Sequence, residues 1–180
     1  MHRSLVFLGL FFLFLVAGLF MNASFEKQQY KRVDKERFIN TFSGKEELIN
    51  DYLLKITRDL QKKDPGEIES TFYSDYSDMF RNQGIAFYIF YKSQLQYWNT
   101  NTVPVNSLDT VQNHSVSKLG NGWYYIREEQ TDSFRVVGIS LLKKNYSYEN
   151  QYLNNAFQED FSLSSTVDIV KNPYQGTAIT

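Results

Sequence analysis

The sequence predicts an α+β protein: an N-terminal membrane helix, then amphipathic helices, then an antiparallel sheet. Three observations predict it. Residues 5–21 hold no polar or charged side chain. Apolar residues then recur at helical spacing as far as Phe80. Beyond Gly84 the pattern changes to short aromatic and β-branched runs separated by turn residues.

The run Leu5–Met21, as a helix, spans roughly 25 Å, near the short end of what crosses a bilayer. Arg3 and the amino terminus ahead of it form the basic region of a signal sequence or signal anchor. A cut after Gly18 would fall inside the apolar run, and Met21-Asn22-Ala23 is a poor cleavage site, so an uncleaved anchor over 1–21 is favoured. Lys27, Lys31, Arg32, Lys35 and Arg37 follow the run, which by the positive-inside rule alone keeps the C-terminal side in the cytoplasm. Long domains translocate largely regardless of such charges, and the basic-then-apolar order is that of an exported protein. The expected location is therefore the inner membrane, with a single N-terminal span and the domain in the periplasm.

Residues 22–42 read as a charged stalk helix, and 43–180 as the domain. Glu26–Arg37 carries charges of both signs with only Tyr30 and Val33 apolar, which suits a solvated helix. Ser43 and Glu46 make a capping box for the helix that follows. Its stripe is Leu48, Ile49, Tyr52, Leu53, Ile56 and Leu60. Asp64-Pro65-Gly66 ends it and starts a second helix, whose stripe Ile68, Phe72, Tyr76, Met79 and Phe80 stops at Gly84. Ile49, Leu53, Ile56 and Leu60 would serve equally as a parallel homodimer seam or as the cover of the sheet.

Ile85–Tyr91 is too short for a buried helix and rich in strand formers. Lys92-Ser93-Gln94 turns it into a second strand, Leu95–Asn99. Residues 100–121 are polar and irregular, with turn signals at Pro104 and Asn121-Gly122. Gly122–Glu129 and Phe134–Lys143 form a hairpin around Thr131-Asp132-Ser133. Tyr152, Leu153, Phe157 and Phe161 mark a short helix at 147–161, and Thr166–Val170 and Thr177–Thr180 read as two more strands. The last of these looks caught mid-course, as in a chain cut from a longer protein.

Composition narrows the function. With 19 basic and 20 acidic residues the net charge is −1, which provides no footprint for nucleic acid. The absence of cysteine removes thiol catalysis and Cys-ligated metals. The histidines are His2 and His114, so no His pair stands at metal spacing. Glu128 and Glu129 point to opposite faces of a strand and make poor acid/base partners. No phosphate-binding glycine loop occurs. The expectation is a chain without a catalytic core, metal or cofactor.

What remains is an aromatic and basic cluster on the expected sheet. Strand alternation puts Trp123, Tyr125 and Arg127 on one face, and Trp98 and Arg135 lie on neighbouring strands. Rigid rings with one or two fixed charges suit a pocket for a small molecule, with core rings and surface arginines as the bland alternative.

Several segments resemble a known family. LQYWNTN (Leu95–Asn101), NGWYYIREEQ, VVGISLLKKNYSYENQYLNNAF and FSLSS, spread to Ser165, are similar to the input region of sensor histidine kinases of Bacteroidetes-type bacteria. The order of helices, two strands, loop, hairpin, helix and strand resembles a Cache/PAS-like extracytoplasmic sensor domain. The resemblance implies a PAS/Cache-like sheet, a ligand that is a small molecule or an oligomer, and a role in two-component signal transduction. It also implies that a second membrane helix, a phosphoacceptor histidine and an ATP-binding domain would follow, so kinase activity is not carried over to this chain. The alternative is a membrane-anchored envelope structural or assembly protein without a small ligand.

Overall fold

The computed structural model describes residues 35–108, 111–165 and 167–170. The expected membrane segment, the stalk up to residue 34 and the strand at Thr177–Thr180 lie outside the described residues. Among the described residues no helix is long and apolar enough to cross a membrane. The chain divides into two compact units, Met1–Ile39 and Asn40–Thr180. Of the first, residues 35–39 are described and are helical; the sheet and the residues packed on it belong to the second.

Helix α1 covers 35–62 without interruption, so the capping box at Ser43 is not used. The reason is packing. The buried stripe begins earlier than its aliphatic residues show, with Phe42 against the Tyr125 ring at 5.1 Å and Lys45 only 6% exposed. Gly44 in the helix interior costs about 1 kcal/mol. Ile49, Leu53, Ile56 and Leu60 are all buried and contribute roughly 1.5–3 kcal/mol each, so burial wins. Helix α2 (Pro65–Tyr76) starts with proline in its first turn, as expected. The continuous second helix expected from the sequence is broken at Ser77-Asp78, and a short α3 (Met79–Gln83) ends at Gly84, whose φ of 68° is the left-handed cap that glycine favours.

Five strands follow: β1 (Ile85–Tyr91), β2 (Gln94–Trp98), β3 (Ser115–Leu119), β4 (Gly122–Gln130) and β5 (Phe134–Lys144). They form one antiparallel sheet in the order β2-β1-β5-β4-β3. Strand β1 pairs along its whole length with β5, and every residue from Ile85 to Phe90 is buried, so the centre of the sheet is covered on both faces. On one face lies α1. A Cβ at Gly138 would stand 2.8 Å from Ile49 and 3.4 Å from Leu53, so glycine lets the helix approach the sheet backbone. Phe72 and Tyr76 of α2 extend this layer, with Tyr76 edge-on to Phe87.

The other face carries Ala86, Tyr88, Phe90, Tyr124, Ile126, Val137, Ile139 and Leu141, closed by Val103 and Leu108 from the segment between β2 and β3. That segment is pinned by side chains. The Tyr88 hydroxyl donates to Thr100 O, the Tyr124 hydroxyl to Asn121 Oδ1, and Asn121 Nδ2 to Thr102 O. It contains a 3-10 turn, Val105–Leu108, and leads into the edge strand β3, both where an irregular loop was expected.

After β5 the expected helix at 147–161 does not form. Asn150 accepts from the Tyr152 and Leu153 amides and Asn155 from the Tyr146 amide, so local side-chain bonds replace the helical ladder. Tyr152 is 81% exposed, whereas Phe157 and Phe161 are core residues. Phe157 pairs with Lys143 as an isolated bridge, and Glu159–Phe161 is a single 3-10 turn. Residues 167–170 form no strand.

Two buried lysines hold this C-terminal segment. Lys45 Nζ donates to Gln83 O at the end of α3, pairs with Asp160 and lies 5.7 Å from the Phe161 ring centre. Lys143, 4% exposed, donates to Val167 O and to Asp168 Oδ1 at 3.1 Å and lies over Phe157. The Lys143 ammonium holds the Asp168 carboxyl below its ordinary range. Each lysine thus has carbonyl, carboxylate and ring partners, which compensates its removal from water.

Candidate functional site

Strand β4 alternates as the sequence predicts, and Trp123, Tyr125 and Arg127 share one face. That face is the one under α1. Tyr125 is opposite Ser140 and Arg127 opposite Gly138, the residue that Ile49 and Leu53 cover. Trp123 and Tyr125 are 7% and 3% exposed, so their rings are core. The layer is nonetheless polar beneath the first turns of the unit's helix. The Tyr125 hydroxyl, Arg127 Nε and Ser140 Oγ are all buried without a hydrogen-bond partner. Burial, followed by the nearby Glu46 carboxylate, pushes the Tyr125 phenol up to about 12, with Arg127 opposing.

Trp98 and Arg135 do not join these three. Trp98 is opposite Tyr88, and Tyr88 is opposite Val137, two residues from Arg135. Side chains two apart on a strand share a face, so both belong to the loop-covered side. This pairing corrects the expectation of a single cluster: Trp98 and Arg135 stand across the sheet from Trp123, Tyr125 and Arg127. Trp98 packs on the Tyr88 cluster and donates to Asn101 Oδ1. Arg135 stacks over Phe90 at 5.5 Å, donates Nε to Glu128 at 2.8 Å and Nη2 to Leu108 O at 2.9 Å. It ties the 3-10 turn to the sheet.

The segment Leu95–Asn101 has a structural task that composition did not reveal. Asn99 Oδ1 accepts from the Phe87 amide, and its Nδ2 donates to Tyr76 O, joining β1 to the end of α2. Asn113 does the same for β4, accepting from the Glu128 amide and donating to Glu128 O. His114 is exposed at a φ of 53°, and the adjacent Ser115 hydroxyl donates to Gln112 O. No nucleophile–base pair forms there. Among the described residues no group of three His, Asp or Glu is placed to hold a metal ion.

Polar surface gathers instead at one end of the sheet. There the turn between β1 and β2 meets the turn between β4 and β5, and a cleft of about 360 Å³ opens beside Arg135. The sequence signal for it was present only as two turn motifs, because nothing local says that the turns adjoin.

The buried tyrosines set an alkaline limit. Burial raises Tyr88 and Tyr124 above their ordinary value of about 10, and Tyr125 likewise. A folded pKa above the unfolded one gives stability that is complete below about pH 10 and lost as pH rises past it. The melting temperature should therefore fall between about pH 10 and pH 12. Tyrosinate absorbance of the folded protein should reach only part of its full amplitude until unfolding. Simultaneous titration of all 13 tyrosines near pH 10 without unfolding would contradict the burial described.

No protein-family model matches the chain, and no curated protein and no solved structure matches it.

Proposed function

We propose that this chain is the extracytoplasmic ligand-sensing input region of a membrane-anchored sensor histidine kinase, with no catalytic core of its own. The observation that carries this reading is the sheet. An antiparallel five-stranded sheet with a long helix across one face and a loop-rich segment across the other is what the resemblance to a Cache/PAS-like domain leads one to expect, and it supports the reading. The resemblance of Leu95–Asn101 and Asn121–Ser165 to such input regions supports it. In this reading Leu5–Met21 anchors the chain in the inner membrane and the domain is periplasmic.

Topology gives the test. The chain has no native cysteine, so Tyr152→Cys, at a site 81% exposed, introduces a single reporter. In intact spheroplasts it should react with a membrane-impermeant maleimide as fully as after lysis, and the chain should sediment with membranes. Labelling only after lysis puts the domain in the cytoplasm and overturns the reading. Release of a shorter soluble form would replace the anchor with a cleaved signal peptide.

A further inference from the structure

The cleft at the sheet end is built from two hairpin turns fastened together, the Lys92 amide donating to Ser133 O at 3.1 Å. Its volume of about 360 Å³ lies within the roughly 300–1,000 Å³ of small-ligand pockets. Lys92, Ser93, Gln130, Asp132, Phe134 and Arg135 are among its lining residues. Their chemistry is mixed in a particular way. The Arg135 charge is already matched by Glu128, and Lys92 and Asp132 bring one charge of each sign to the lining, so the cleft has no net charge to hold an ion. Planar hydrogen-bonding groups remain: the Gln130 amide, the Asp132 carboxylate and the N–H donors of Arg135 that its protein bonds do not use. Phe134 and its cross-strand partner Tyr91, with ring centres 5.1 Å apart and Tyr91 37% exposed, supply an aromatic surface at the same edge.

We propose that this cleft binds a neutral saccharide unit. Vicinal hydroxyls match planar amide, carboxylate and guanidinium groups, which accept and donate in pairs. The C–H face of a pyranose ring packs on an aromatic edge. A purely apolar ligand would leave the polar groups unpaired, and a simple anion would find no net positive charge. The β1–β2 turn also places Lys92 and Ser93 in left-handed backbone, at φ 46° and 67°, with neither glycine nor asparagine to ease it. Both residues line the cleft. The proposal names the ligand class for the input-domain reading, but binding itself can be tested without it.

The experiment is calorimetric titration of the full chain in zwitterionic micelles, which carry no sugar headgroups. The probes are glucose, galactose, mannose, N-acetylglucosamine and their disaccharides, with glucuronate and glutamate as charged comparators. At least one neutral sugar should bind saturably. Gln130→Ala and Asp132→Ala, both at exposed positions, should each weaken it tenfold or more without changing the melting temperature. Binding that both variants leave intact, binding of the charged comparators alone, or no binding by any neutral sugar overturns the proposal. If it fails while Tyr152→Cys still labels from outside, the saccharide site falls and the sensor reading stands. If a sugar binds while labelling requires lysis, the reverse holds.

Discussion

Leu53→Lys is expected to unfold the domain, not to dissociate a dimer. Leu53 is fully buried over the sheet, within 3.4 Å of where a side chain on Gly138 would begin. The substitution removes roughly 1.5–3 kcal/mol of apolar burial. It also places an ammonium beside Ile49, Phe87 and the Gly138 backbone, none of which offers it an opposite charge. An unpaired buried charge costs several kcal/mol more, and a domain of this size holds only about 5–15 kcal/mol in total. Far-UV circular dichroism and ultracentrifugation separate the outcomes. Loss of the cooperative melt confirms a core stripe, while a folded, monomeric variant would make Ile49, Leu53, Ile56 and Leu60 a seam between copies. Leu53→Met, which conserves volume, should stay within about 1.5 kcal/mol of the parent.

That stripe shows what sequence could and could not specify here. Its period named the residues but not their partner, because a helix face that covers a sheet and one that covers another helix have the same spacing. Strands β1, β2, β4 and β5 were legible because aromatic and β-branched runs stood between turn residues. Strand β3 was not. Ser115, Ser117 and Lys118 make it polar, and Val116 is 41% exposed, as suits an edge strand that gains its place by pairing with β4. The helix expected around Phe157 and Phe161 failed for the opposite reason. Both rings are buried at a spacing a helix would give, but Asn150 and Asn155 satisfy the backbone locally. The ligand cluster divided because alternation fixes faces only within one strand. Trp123, Tyr125 and Arg127 could be grouped on β4, whereas the sides of Trp98 and Arg135 depended on a register that no local pattern encodes.

Lys45→Ala is expected to be the most damaging polar substitution, because Lys45 joins three elements at once. From α1 its ammonium meets the last carbonyl of α3, at Gln83, and the Asp160 carboxylate, and lies over Phe161. Its side chain is 7% exposed against 40% for Asp160, so the cost of the change falls unevenly. Truncation returns Asp160 to water cheaply, but strands the Gln83 carbonyl and empties the space of a long buried stem. Together these amount to about 3 kcal/mol. Lys45→Met fills most of that space and removes the buried charge, so it should lose less, about 1–2 kcal/mol. Asp160→Asn works from the other side, leaving the ammonium to the carbonyl and the ring. Hydrogen exchange gives the local signature: amides of 156–162 should exchange faster in Lys45→Ala and Asp160→Asn, while those of β4 and β5 keep their relative protection. If all three variants melt within about 0.5 kcal/mol of the parent and exchange at residues 156–162 is unchanged, the clasp does not hold the segment. The packing of Phe157 and Phe161 would then have to hold it without Lys45.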